Sequence, residues 1–202
     1  MKKAFLLRGF SLDTSSADPD YEEVRDAISI SGYEVLAFPE TWNNKTVDEY
    51  INKFISFYEK NKGKNNIIIG HSFGAMIALI VAPRTRPDLL VLCSMSGYFK
   101  EDLAKHNNSH AMYNLIGQKR LTELSAISAI KCSNEIRDAN IPTVMIYGEK
   151  EKSLYPILYN SIQRTAKIIN TTKIFVVPDS DHKMHNNINY IDILSQQIRI
   201  SA

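Results

Sequence analysis

The most constraining feature of the sequence is an abrupt change of pattern at one serine. Residues 65–71 read NNIIIGH and residues 73–82 read FGAMIALIVA, with Ser72 between them. Three isoleucines in a row predict a buried strand, and the apolar run after the serine predicts a buried helix. Gly70 and Gly74 flank Ser72, and glycines suit a turn where neighbouring backbone leaves no room for a side chain. The stretch therefore predicts a strand, a sharp turn and a helix, with the serine hydroxyl pushed into the open.

Apolar runs and helical patterns alternate along the rest of the chain. Strands are predicted at 4–10, 33–39, 65–71, 88–96, 141–148 and 172–178. Helices are predicted at 21–32, at 46–63 with a capping box from Thr46 to Glu49, at 73–82 ending before Pro83, near 156–169 and near 187–199. Apolar runs that do not alternate with polar residues suit a parallel sheet covered on both faces. The sequence therefore predicts a doubly wound α/β fold with a mostly parallel sheet of about six strands.

The segment 97–140 is longer than one crossover helix requires. Its apolar residues recur at partly helical spacing: Leu103, Met112, Leu115, Ile116, Leu121, Leu124, Ile127 and Ile130. We interpret the segment as a small helical insertion, because 202 residues suit one core better than two. One domain is therefore expected over 1–202, with 97–140 as a lid.

Charge and cysteine usage narrow the expected partners and cellular location of the protein. The formal net charge is +2, and the lysines are scattered among acids without a basic patch, so no nucleic-acid partner is expected. Cys93 and Cys132 lie far apart in sequence, which favours a reducing compartment. Arg8 interrupts the N-terminal apolar run too early for a secretory signal. No run approaches the ~20 apolar residues of a membrane span, and we expect a cytoplasmic protein whose oligomeric state the sequence leaves open.

Gly70-His71-Ser72-Phe73-Gly74, placed between a predicted strand and a predicted helix, resembles the nucleophile elbow G-x-S-x-G of the α/β-hydrolase superfamily. The resemblance extends over residues 4–199 and implies that fold, without the N-terminal pair of strands common in larger members. It also implies a base and an acid that follow Ser72 in the chain order serine, acid, histidine.

The histidine and the acid are expected just after the last two strands, since sites in such sheets lie beyond the carboxyl ends of the strands. Residues 178–182 read PDSDH and resemble the family's P-G-x-G-H loop, with both glycines replaced by aspartates. The resemblance implies His182 as the base, with His185 as the alternative. Residues 141–148 resemble the family strand that ends in glycine and is followed by the acid, which implies Glu151, with Glu149 as the alternative. A His-x-x-His metal site lacks a third ligand, so no metal is expected.

The resemblance also implies an oxyanion hole made by two backbone N–H groups. One belongs to Phe73, the residue after the nucleophile, and the other to Phe10, in the loop after the first strand. Relatives often have His-Gly in that loop, where this chain has Arg8-Gly9; Arg8 is either structural or selects anionic substrates. Four further residues are expected near the mouth of the site, with the two aromatic ones either lining a pocket or simply packing: Asp18, Trp42, Ser96 and Tyr98.

These features predict a serine hydrolase that cleaves a carboxylic ester or thioester of a small acyl substrate through an acyl-enzyme, with no cofactor. The alternatives are a non-catalytic binding protein with this fold, or an amidase or C–C hydrolase that uses the same triad. The sequence does not distinguish the acyl chain length.

Overall fold

Six parallel strands form the centre of the structure. A computed structural model of the chain describes residues 1–11, 21–104, 116–170 and 172–201. Within these ranges the strands are β1 (Lys2–Leu7), β2 (Glu34–Ala37), β3 (Asn65–His71), β4 (Leu89–Cys93), β5 (Thr143–Gly148) and β6 (Lys173–Val177). They lie in the order β2-β1-β3-β4-β5-β6, and every neighbouring pair is parallel. The predicted sheet is therefore confirmed, and it is wholly parallel over the described strands.

Helices cover both faces of the sheet. They are α1 (Glu22–Ile30), α2 (Val47–Asn61), α3 (Phe73–Thr85), α4 (Lys100–Leu103), α5 (Gln118–Ala126), α6 (Ala129–Asp138), α7 (Glu151–Leu154), α8 (Pro156–Ile168) and α9 (Ile188–Ser201), with a 3₁₀ turn at Met184–Asn186. One apolar cluster joins α1 and α9 to one face of the sheet. A second cluster joins α2, α3, α6 and α8 to the other face. The prediction of a doubly wound fold with helices on both faces is confirmed.

Local sequence signals set several element boundaries. The Thr46 hydroxyl accepts from the Glu49 backbone N–H, and the Glu49 carboxylate accepts from the Thr46 backbone N–H, so the predicted capping box starts α2. The prediction that the third helix ends before Pro83 is wrong, because α3 continues to Thr85 and contains the proline in its last turn. Proline has no N–H, so in the last turn of a helix it removes only one backbone hydrogen bond. The helix can therefore continue past it to its end.

The segment 97–140 contributes three helices within its described part. The last of them, α6, is the crossover helix between β4 and β5: its buried residues belong to the main core, and it packs against α3 and α8. Residues 105–115, which include Met112 and Leu115, lie outside the described residues. The stretch before α6 is therefore where a lid can lie, and a lid remains a prediction.

The register of the sheet brings the carboxyl ends of the central strands to one edge. Leu7 of β1 lies beside Gly70 of β3, and His71 of β3 lies beside Cys93 of β4. The chain order reverses between β1 and β3, and a crevice opens at such a reversal in open parallel sheets. The loops that follow β1 and β3 therefore meet at this crevice. No helix among the described residues is long and apolar enough to cross a membrane.

Candidate active site

The serine lies on a strained turn between β3 and α3. Ser72 has φ 54° and ψ −117°, a backbone conformation that a residue with a side chain rarely adopts. Its N–H donates to the Cys93 carbonyl, which fixes the turn against β4. Ser72 immediately precedes Phe73, the first residue of α3, so its hydroxyl stands at the helix N-terminus.

Both glycines of the turn are required by close backbone contacts. A Cβ at Gly70 would lie 2.5 Å from the Ala75 Cα. A Cβ at Gly74 would lie 2.3 Å from the carbonyl oxygens of Leu7 and Arg8. The first glycine therefore lets α3 fold back over β3, and the second lets the loop after β1 pass directly beside the serine.

The structure brings Ser72, His182 and Glu151 together in one line of hydrogen bonds. The Ser72 Oγ lies 2.7 Å from the His182 Nε2, and the His182 Nδ1 lies 3.2 Å from the Glu151 Oε2. Since a carboxylate can only accept, Nδ1 carries the proton and donates it to Glu151. Nε2 is then free to accept the serine proton. This is the tautomer that a general base needs.

Glu151 is the buried member of this line. Its carboxylate has no exposed surface, and its Oε1 accepts from the Ser94 hydroxyl at 2.5 Å and from the Gly148 N–H at 2.9 Å. Glu149, the alternative acid, is exposed and accepts instead from the Asp179 backbone N–H. The carboxylate that contacts the histidine is therefore that of Glu151.

The histidine loop keeps the course expected of a glycine-containing loop although it has aspartates. Asp179 stands where relatives have the first glycine, and it adopts φ 56°, a left-handed conformation that aspartate tolerates better than most residues. Gly148 allows this loop to approach β5, since a Cβ there would lie 2.4 Å from the Ser180 and Asp181 carbonyl oxygens. The replacement of both glycines therefore does not displace His182 from the site.

His185 packs behind the site. Its ring lies 5.3 Å from the Tyr21 ring and 6.0 Å from the His71 ring, and it is half-buried in the 3₁₀ turn. The turn therefore folds the His185 ring inward onto these two rings.

The two candidate oxyanion donors lie in segments that border the serine. Phe73 is the first residue of α3, where backbone N–H groups have no acceptor within the helix. In the loop after β1, a Cβ at Gly9 would lie 3.6 Å from the Ser72 Cβ. The rings of Phe10 and Phe73 are 5.4 Å apart, edge to face. The two segments therefore flank the space in front of the serine.

Aromatic side chains border this space. Trp42 is buried and stacks on Tyr50, with ring centroids 3.8 Å apart, so it is a packing residue rather than a pocket wall. Tyr98 is half-buried, 6.4 Å from the Phe73 ring, and Tyr155 lies 5.5 Å from the His182 ring. Asp18 lies outside the described residues.

Four polar residues support the site in ways that the sequence did not reveal. The hydroxyl of Ser96, a residue expected near the mouth of the site, lies 3.1 Å from the Ser72 Oγ. Ser94 holds Glu151 and also contacts the Tyr190 hydroxyl at 2.8 Å. His71 and Tyr21 form a buried pair directly beneath the serine turn. For Ser94 and Ser96, their place just after β4 was the available signal.

No metal ligand set stands out in this part of the molecule. Within the described ranges, no group of three or more His, Cys, Asp or Glu side chains is arranged to hold a metal ion.

The overall structure is similar to solved hydrolases. Est1E from Butyrivibrio proteoclasticus matches with a TM-score of 0.77 at 13% identity, over 98% of this chain and 86% of that one. A structure from a study of carboxylesterases of the thaumarchaeon Nitrososphaera gargenis matches with a TM-score of 0.74 at 15% identity, over 99% and 90% of the two chains. A thioesterase domain from the curacin biosynthetic pathway matches with a TM-score of 0.67 at 14% identity, over 97% and 90%.

These likenesses define the class of fold. No family model matches the sequence, and no curated protein matches it. With an all-parallel sheet of six strands in the described part of the chain, helices on both faces and a serine on the turn after β3, the chain has the α/β-hydrolase fold.

Proposed function

We propose that the protein is a serine hydrolase that cleaves a carboxylic ester or thioester through an acyl-enzyme. The observation that carries the proposal is the line of hydrogen bonds from Ser72 through His182 to the buried Glu151. The serine is on a strained turn that exposes it to the crevice, which is what an activated nucleophile requires. Structural similarity to carboxylesterases and a thioesterase domain supports this chemistry.

The reaction follows from the donor and acceptor roles. The Ser72 Oγ attacks the acyl carbon while its proton passes to the His182 Nε2, and Glu151 stabilises the resulting imidazolium. The N–H groups of Phe10 and Phe73 donate to the oxyanion. The tetrahedral adduct then expels the alcohol or thiol, which takes the proton from Nε2. In the second half, His182 removes a proton from water, the hydroxide attacks the acyl carbon, and Ser72 leaves with that proton.

The surroundings of the serine favour an apolar acyl group. The rings of Phe10 and Tyr98 pack near that of Phe73, the residue after Ser72, and the Tyr155 ring lies 5.5 Å from the His182 ring. Burial of apolar substrate against such rings contributes roughly 25 cal/mol per Å² of surface removed from water. An apolar acyl group is therefore the substrate class that we propose.

A direct test combines covalent labelling with a substrate panel. We expect a fluorophosphonate probe to add one label, on the peptide that contains Ser72 and not on the peptide that contains its neighbour Ser96. We also expect turnover of p-nitrophenyl esters or acyl thioesters of graded chain length. The label is located by mass spectrometry, and rates are followed by absorbance.

The same experiment separates the alternatives. A folded protein that neither takes the label nor turns over any ester or thioester would be a binding protein with this fold. A label on Ser72 without ester or thioester turnover would point to an amide or carbon–carbon substrate.

We expect Glu151→Gln to lower turnover by at least ~10², by analogy with the serine-protease acid. Both donors at Oε1, the Ser94 hydroxyl and the Gly148 N–H, must still face the amide oxygen of the glutamine. The amide NH₂ group then faces the His182 Nδ1, which must accept, so the proton moves to Nε2. In this tautomer the histidine cannot take the serine proton. Steady-state rates with the best ester, with circular dichroism to check folding, measure the effect.

Glu149→Gln is the matched control. A glutamine there keeps an oxygen that can accept from the Asp179 N–H, so turnover is expected to stay close to that of the wild type. A large loss in Glu149→Gln together with a normal Glu151→Gln variant would contradict the assignment of the acid.

A further inference from the structure

A buried chain of three hydrogen bonds runs beneath the serine turn and joins two loops of the site. The Gly9 N–H lies 3.2 Å from the Tyr21 hydroxyl, which lies 2.5 Å from the His71 Nδ1. The other ring nitrogen of His71, Nε2, lies 2.9 Å from the carbonyl oxygen of His182. The chain thus begins one residue before Phe10 and ends on the backbone of the proposed base.

For a neutral His71, only one arrangement of protons satisfies all three contacts. The His182 carbonyl can only accept, so the His71 Nε2 carries a proton and donates. If His71 is neutral, its Nδ1 is then bare and accepts the Tyr21 hydroxyl proton. The Tyr21 oxygen in turn accepts from the Gly9 N–H. Every donor in the chain points from the loop after β1 towards the histidine loop.

The surroundings of His71 favour this neutral form. His71 is only 4% exposed and Tyr21 only 5%. Burial, together with the nearby His182, lowers the pKa of His71 to about 3. Among the described residues, the titratable groups that face its ring are Tyr21, His182 and His185. The imidazole therefore stays uncharged at neutral pH and serves as a fixed donor and acceptor.

The hydrogen bonds of Tyr21 and His71 connect parts of the site, which ordinary core packing would not do. His71 belongs to the serine turn itself, and a Cβ on Gly9 would already lie 3.4 Å from the Tyr21 oxygen and 3.6 Å from the His71 Nδ1. The turn, the loop that carries Phe10 and the loop that carries His182 are thus tied to the same two side chains. An apolar pair of equal size would fill the space but would leave the Gly9 N–H and the His182 carbonyl without these partners.

We propose that His71 and Tyr21 are positioning residues that hold the oxyanion loop and the base at their working distances from Ser72. Neither side chain takes a direct part in the proposed reaction. Tyr21 fixes the loop of Phe10 through Gly9, and His71 fixes His182 through its carbonyl group. The inference rests on the proposed function, because positioning has a kinetic consequence only if Ser72 reacts.

Tyr21→Phe is the principal test, since it removes one oxygen atom and little volume. We expect kcat towards the best ester to fall roughly 10- to 100-fold, because a displacement of about 1 Å between reacting groups can cost ~10²-fold, with KM little changed. Tyr33→Phe is the matched control: Tyr33 is also buried and hydrogen-bonded, but to Asn65 at the opposite end of β3. The control is expected to keep the wild-type kcat.

Two substitutions at His71 provide a graded comparison. A glutamine can still present an N–H towards the His182 carbonyl, whereas a phenylalanine cannot. We therefore expect His71→Gln to retain more kcat than His71→Phe when both fold. If His71→Phe fails to fold, the Tyr21→Phe and Tyr33→Phe pair still decides the question.

Nitrogen-15 NMR of the wild type gives a readout that does not depend on turnover. We expect the His71 ring at pH 7 to be neutral, with the proton on Nε2 and a bare Nδ1. A protonated ring, or a proton on Nδ1, would overturn the inference. If the wild type is active and Tyr21→Phe has the same kcat as Tyr33→Phe, the inference is also overturned. A wild-type protein that neither reacts with the fluorophosphonate probe nor turns over any ester or thioester would instead contradict the proposed function.

Discussion

Ser72→Ala is expected to reduce turnover by on the order of 10⁶-fold, the loss seen when a serine hydrolase loses its nucleophile. The substitution removes one oxygen atom, which is the atom that bonds to the His182 Nε2 and that would attack the acyl carbon. Substrate affinity should change little, because the rings that border the site and the backbone N–H groups remain. Turnover of the best ester and calorimetric binding of its slowly reacting analogue measure the two effects separately.

Ser96→Ala is the comparison that assigns this loss to one hydroxyl. Ser96 is buried and its hydroxyl is 3.1 Å from the Ser72 Oγ, so it is the neighbouring serine that could react instead. Since Ser72 donates its proton to His182, Ser96 donates to Ser72, and its removal should cost far less than removal of the nucleophile. If Ser96→Ala lost all turnover while Ser72→Ala kept substantial turnover, the nucleophile would be Ser96 and not Ser72.

The strained turn at Ser72 also predicts a difference in stability between two inactive variants. Ser72 has φ 54°, a conformation that costs a residue with a Cβ of order 1–3 kcal/mol but costs glycine little. Ser72→Gly is therefore expected to have a larger free energy of unfolding than Ser72→Ala, although both are inactive. Denaturant unfolding of the two variants gives the difference, and a more stable alanine variant would show that the turn is not strained.

The arrangement of the site was largely predictable because it depends on strand ends. Long apolar runs identify the strands of a parallel sheet, and the residues just after them meet at one edge whatever the details of packing. Ser72, Glu151 and His182 each follow such a run, so their approach to one another needed only the order of elements and the family pattern.

The supporting residues were not predictable because their partners are distant in sequence. Ser94 reaches Glu151 only because it turns with φ 46° after β4, and Tyr190 reaches Ser94 from the last helix. His71 occupies the variable position of the elbow pattern, where the sequence gives no sign that its ring is buried between two loops. Hydrogen bonds of this kind depend on tertiary packing, which hydrophobic periodicity does not encode.

The aspartates of the histidine loop show a second limit of sequence patterns. A family glycine indicates a backbone conformation, and Asp179 adopts that conformation with a side chain present. The first glycine position of the P-G-x-G-H pattern therefore reflects a required φ value rather than a required residue type. Aspartate is among the few residues that can replace glycine there.

His182→Ala is expected to lower turnover as severely as Ser72→Ala, on the order of 10⁶-fold, since members of a triad act as a unit. Without the imidazole, the remaining hydrogen-bond partner of the Ser72 Oγ among the described residues is the Ser96 hydroxyl, which is far too weak a base to take the serine proton. The reaction of Ser72 with a fluorophosphonate should slow in parallel, since it needs the same proton transfer. Turnover and labelling rates of the purified variant give both values.

His185→Ala distinguishes the base from its neighbour three residues later. The His185 ring packs on Tyr21 and His71, so its removal disturbs the two positioning residues but no bond between Ser72, His182 and Glu151. A loss of at most about tenfold is expected, at the lower end of the range for a small displacement of reacting groups. If His185→Ala were instead the inactive variant and His182→Ala kept its rate, the base would be His185. The hydrogen bond between His182 and Ser72 would then have no part in the reaction.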